Sequence, residues 1–224
     1  MIAFAAMAAL QDRRFVAGVQ LLTADDRQCQ ATVRRRIESP ETAIEFPGVD
    51  RAAAHARAAL LRQIEPLLAN GRRVKQAAYE VQHKEWSRAW VTDGRARLAL
   101  VKQLATQRVS PSQADTTRLF PSVSAQVERR DATVPSPAVV RGLALAALAL
   151  AGDTGEDSDG VLNSMMTDAR SRSCLHRAKL NLFQCMAVGG PHDEDIFCIS
   201  QHAMLEAGQC MASAAGPDAA APSI

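Results

Sequence analysis

Four of the five cysteines fall within the 37 residues from Cys174 to Cys210, at positions 174, 185, 198 and 210. The stretch that carries them reads as two helices. Ser171 to Val188 forms the first and is stopped by Gly189-Gly190-Pro191. Asp193, Glu194 and Asp195 crowd the first turn of the second, where negative charge complements the helix dipole. That helix is expected to run to about Ala207, with Gly208 as its stop. So short a connection permits only antiparallel neighbours. Two cysteines on one of these helices lie about 16 Å apart at 1.5 Å per residue, and a disulfide needs α-carbons about 4.4–6.8 Å apart. Neither helix can bridge to itself. Residues that face each other in an antiparallel pair share a constant index sum, which is 384 for Cys174 with Cys210 and 383 for Cys185 with Cys198. Of the three connectivities that four cysteines allow, only the nested one fits.

Two structural disulfides, Cys174–Cys210 and Cys185–Cys198, are therefore the expectation, with reduced core cysteines and a metal site as the alternatives. A single tetrahedral zinc site is excluded if both helices form, because the two thiol pairs stand about 16 Å apart. The pattern resembles the twin-cysteine helical hairpins of the coiled-coil-helix type, in which two helices with two cysteines each are crossed by two bridges. The resemblance covers residues 174–210 alone. Ten and eleven residues intervene here where that family has nine, so only the topology is shared and no function is carried over. Disulfides persist in oxidising compartments, which points to a periplasmic or secreted protein.

Composition sets the fold class. Alanine occurs 42 times in 224 residues, whereas aromatic residues are 4%. Alanine has the highest helix propensity and sheets favour branched and aromatic side chains, so an all-α chain is expected. The architecture reads as a helical bundle with a C-terminal disulfide-stapled antiparallel hairpin over 171–211 and a Pro-rich connector. No stretch reaches the roughly 20 apolar residues of a membrane span; the longest, from Gly142 to Ala151, reads as a buried helix.

Along the chain, residues 1–10 are apolar and small, like the remnant of a signal peptide with Ala6-Met7-Ala8 as its cleavage tripeptide. The equal alternative is the apolar start of a helix. Residues 11–108 form an N-terminal helical region, in which Asn70-Gly71 reads as a stop. Residues 109–136 carry Pro111, Pro121 and Pro135 among Ser and Thr, and read as a connector with one short helix near 114–119. Pro137 opens the C-terminal helical region, 137–211, at a helix's first turn. Asp153 to Gly160 is an acidic loop, and residues 212–224 read as a disordered tail.

Tyr79, His83, Trp86 and Trp90 are spaced 4, 3 and 4, which places them on one face of a helix. Such a stripe reads first as core and second as a ligand groove with His83 as its polar handle. Glu80 and Glu85 flank it. Arg34-Arg35-Arg36 is the one dense basic cluster, too short for a nucleic-acid motif. Cys29 is left over, as a free thiol or a dimer-forming bridge. Asp157-x-Asp159-Gly160 matches part of a calcium loop, but Gly155 and Met166 stand at its essential ends, so the match fails. No pattern calls for a cofactor, a metal or a catalytic constellation. The expected function is a non-enzymatic exported helical protein of the bacterial cell envelope that binds or scaffolds a protein or cell-wall partner, without nucleic acid. The alternative is an exported α-helical enzyme acting on cell-wall polymer through Glu80 or Glu85.

Overall fold

The computed structural model describes residues 1–23, 45–107, 112–124, 135–152 and 159–216. Cys29, Arg34 to Arg36, the loop at 153–158 and the tail from 217 lie outside the described residues. Helices dominate and no strand forms among the described residues, so the chain is all-α. The elements are α1 (Ile2–Ala9), α2 (Arg13–Thr23), α3 (Val49–Val81), α4 (Glu85–Arg88), α5 (Gly94–Thr106), α6 (Gln113–Ser124), α7 (Pro137–Leu150), α8 (Asp159–Met165), α9 (Ala169–Val188), α10 (His192–Cys198) and α11 (Ala207–Ala215), the last two joined by a π-helical segment over Ile199–Glu206. Two compact units result, the first drawn from Met1–Gln63, Gln113–Ala169 and Ala212–Ile224, the second from Ile64–Ser112 and Arg170–Met211.

Alanine explains the first unit. Ala5, Ala6, Ala8 and Ala9 of α1 are buried, as are Ala138, Ala144, Ala146 and Ala147 of α7, against which α1 packs. Side chains this small let two helices approach at the short end of the usual 8–10 Å. Ile2, Ala138 and Ala214 form one cluster there. Residues 1–10, read as a signal-peptide remnant or as the apolar start of a helix, are helical over Ile2–Ala9, and burial lowers the pKa of the Met1 amino group. Asp12 starts α2 by accepting the backbone N–H groups of Arg14 at 2.9 Å and Phe15 at 3.0 Å. Its other oxygen lies 3.3 Å from Arg51 Nε. Ser136 caps α7, accepting the Val139 N–H at 3.3 Å, and Pro137 occupies the first turn as its sequence implied. Within the segment read as a connector, α6 runs over Gln113–Ser124 and includes Pro121.

In the second unit, Leu182, Met186 and Cys198 form a buried cluster against which Leu98, Val101 and Cys185 pack. The structure brings Cys174 to Cys210 and Cys185 to Cys198 at disulfide distance, with α-carbons 5.7 and 5.6 Å apart. The two cysteines on α9 are eleven positions apart, but Cys198 and Cys210 are twelve. The return segment must fit one extra residue into the same span, and the π-helical turn at Ile199–Glu206 does so, since its wider i→i+5 bonds absorb an inserted residue.

Two expected stops fail for one reason. α3 runs through Asn70-Gly71 to Val81, and the return segment runs through Gly208 to Ala215. A Cβ on Gly71 would stand 2.9 Å from Leu205 Cδ2, and one on Gly208 would stand 2.6 Å from Leu68 Cδ2. These glycines make room for a neighbouring leucine inside a continuous helix. The residues from 212, read as the start of a disordered tail, are helical to Ala215, with Ala212, Ala214 and Ala215 buried.

Candidate functional site

The end of the second unit around Gly189-Gly190-Pro191 gathers the most chemistry. α9 must stop there, which leaves carbonyls without helical partners. Arg97, from the first turn of α5, donates to the Met186 carbonyl at 3.2 Å and the Gly189 carbonyl at 3.1 Å. The same guanidinium pairs with the Asp195 carboxylate at the start of α10. One side chain therefore caps a helix C-terminus and holds the next helix beside it. Burial pushes the Asp195 carboxyl above its ordinary range, and the Arg97 charge opposes that rise. Glu194 reaches back to accept the Gly190 N–H at 3.0 Å. An open depression of about 470 Å³ lies alongside, lined by Thr92, Asp93, Gly94, Leu98 and Met186 among others.

The link between α3 and α5 is built against this turn. Ser87 is fully buried, with Oγ 2.8 Å from the Lys84 carbonyl and also bonded to that of Val81. Arg88 Nε donates to the Gln82 carbonyl at 3.1 Å. Trp90 makes an antiparallel bridge with Pro191, and the Val91 N–H donates to the Gly190 carbonyl at 2.9 Å. A Cβ on Gly190 would meet three atoms of the six-membered ring of Trp90 at 2.7–2.8 Å, so the indole rests on bare backbone.

The four residues read as one stripe are placed differently. Tyr79 lies on α3, which ends at Val81; His83 is in the link, Trp86 is on α4 and Trp90 follows it. Their helical spacing does not survive because the helix does not. Tyr79 turns to Phe197, with ring centroids 5.9 Å apart, and Lys75 Nζ lies 5.2 Å from the same ring. None of the four is core: Trp86 is 56% exposed and Trp90 75%, and Tyr79 and His83 are exposed as well. Glu80 and Glu85 are also exposed, and Glu80 accepts from Gln76 at 3.2 Å.

A second polar group lies on the π segment. Glu206 accepts from Asn181 at 3.0 Å and Gln201 at 3.4 Å, and lies 2.9 Å from His202 Nδ1. Lys75 in turn donates to Gln201 at 2.8 Å. Burial alone would raise the Glu206 carboxyl, but the hydrogen bonds from Asn181, His202 and Gln201 outweigh it and leave the pKa lowered. Among the described residues, no three His, Cys, Asp or Glu side chains converge as a metal site would need. The chain matches no family model, and no curated protein or solved structure is similar to it. The Arg97–Asp195 pair went unread in the sequence. Its partners are 98 residues apart; Asp195 was legible only as a first-turn acid, and nothing near Arg97 marked it as the partner.

Proposed function

We propose that the chain is an exported helical protein of the bacterial cell envelope that binds a protein or cell-wall partner and performs no reaction on it. The observation that carries this reading is the pair of cysteine contacts at 5.7 and 5.6 Å, geometry that two disulfides require and that an oxidising compartment would preserve. On this reading the two bridges staple α9 to its return segment as an antiparallel hairpin and fix its register. Among the described residues no helix is long and apolar enough to cross a membrane, which is compatible with an extracytoplasmic location. The binding surface is assigned to the turn end, where a braced link holds two indoles in solvent. Glu80 and Glu85, the carboxylates of the enzyme reading, stand exposed on different elements, and neither lines the depression beside Arg97.

Intact mass after alkylation, with and without reduction, tests the proposal on protein isolated from its native host. Four protected thiols, with peptides joining Cys174 to Cys210 and Cys185 to Cys198, are expected. The same spectrum reports whether the first residues, with Ala6-Met7-Ala8 as the cleavage tripeptide, are removed. Five freely alkylated thiols would overturn the export reading.

A further inference from the structure

Trp86 and Trp90 are the two tryptophans of the chain, and both belong to the link braced by Ser87 and Arg88. Burying an indole removes about 150–250 Å² from water, so leaving two exposed forgoes a large apolar gain. The link is not loose, since Ser87 is fully buried and Trp90 is bridged to Pro191. Trp90 is held with its six-membered ring on Gly190, and three-quarters of the residue still faces solvent. A fixed aromatic plane with one side seated and the other free is suited to stacking.

Charge selects what stacks there. The exposed cations around the indoles are Lys84, Arg88 and Arg95, and the exposed acids are Glu80, Glu85, Asp93 and Glu194. Acids slightly outnumber cations, so the surface has no net attraction for a polyanion or an anionic lipid leaflet, which a positive patch would draw. It does surround the indoles with donors and acceptors of both kinds. A hexose ring offers the matching chemistry: a face of C–H groups drawn to the electron-rich face of an indole, and a rim of hydroxyls that both donate and accept.

We infer that Trp86 and Trp90 form a stacking platform for the sugar rings of an uncharged polysaccharide. The inference rests on the envelope-binding reading and names the partner chemistry it leaves open. Both indoles are themselves the optical probes. Tryptophan emission of the oxidised, full-length protein is titrated with β-1,4-linked hexamers of glucose and of N-acetylglucosamine up to about 10 mM, within the range of weak affinities. A saturable blue shift with at least one hexamer is expected. Trp90→Ala should weaken binding about tenfold or more, read through Trp86. Gly190→Ala keeps both indoles but puts a methyl where the Trp90 ring rests, so it should weaken binding severalfold with helical circular dichroism unchanged. Trp86→Phe supplies a second readout if either variant fails to fold. A silent titration of the folded wild type overturns the platform, as does wild-type affinity in both Trp90→Ala and Gly190→Ala. A shift produced by anionic phospholipid vesicles but by neither hexamer overturns it too. Protected thiols combined with a silent titration would remove the platform and leave the export reading standing, so the two failures are distinguishable.

Discussion

Replacing Cys174 and Cys210 together by alanine releases the outer of the two nested loops, and the cost follows from loop length. The pairs are separated by 36 residues for Cys174–Cys210 and 13 for Cys185–Cys198. Taken alone, closing each loop in the unfolded chain stabilises the fold by about 3.8 and about 2.9 kcal/mol. The bridges are nested, however, so each is worth less when the other is present. With the inner bridge intact the outer loop is effectively shorter, and its contribution falls to about 3.4 kcal/mol. Closing the inner loop inside an already closed outer one contributes about 2.5 kcal/mol. Alanine suits the test because Cys198 and Cys210 are buried, and serine would add a buried hydroxyl. Guanidinium unfolding of the oxidised protein, Cys174→Ala/Cys210→Ala and Cys185→Ala/Cys198→Ala is followed by far-ultraviolet circular dichroism. The outer variant should lose about 1 kcal/mol more than the inner one. Equal losses, or a larger loss for the inner pair, would refute the reasoning from unfolded-chain entropy.

Arg97→Met should cost about 2–4 kcal/mol at neutral pH, since it strands the Asp195 carboxylate and uncaps the Met186 and Gly189 carbonyls. Burial already holds the folded Asp195 pKa above its unfolded value, and losing Arg97 removes the opposing charge. A raised carboxyl pKa makes folding more favourable as pH falls through it, so the variant's deficit should narrow on acidification; a deficit constant with pH in urea unfolding would contradict this. Asp12→Ala should cost about 1–2 kcal/mol through loss of the α2 cap, a fall of roughly 2–4 °C in Tm per kcal/mol, while Asp12→Asn should retain most of the stability. Deleting the exposed Ala203 should turn the π segment into α-helix and keep both cysteine pairs; disulfide mapping that finds exchanged partners would rule out the one-residue surplus as its cause.

What could be read in advance was whatever depends on neighbours in sequence. Alanine abundance gave the helical class, Gly189-Gly190-Pro191 marked the end of α9, and Pro137 marked the start of α7. The nested cysteine order follows from helix geometry alone. Even the π segment left a trace, since the index sums of 384 and 383 differ by the one residue it absorbs. The misreadings share a different origin. Gly71 and Gly208 stop a helix only if nothing occupies the space they leave, and Leu205 and Leu68 occupy it. Tyr79, His83, Trp86 and Trp90 keep helical spacing on paper, yet Ser87 buries itself under Val81 and the chain breaks. Tertiary contact overrode a local pattern in each case, and the seat of Trp90 on Gly190, a hundred residues away, had no local signal at all.

The nested pairs also determine how the chain would behave under tension. With Cys174 and Cys210 joined, a pull along the backbone passes through two α-carbons 5.7 Å apart and skips everything between them. The 36-residue separation withholds about 120–130 Å of extensible contour at 3.3–3.6 Å per residue. The turn end, with Trp90 on Gly190, lies inside that bypassed loop on one side of the contact. Stretching would draw out the segments on either side first, while the parts of α9 and its return segment between Cys174 and Cys210 would carry no load until a covalent bond gives way.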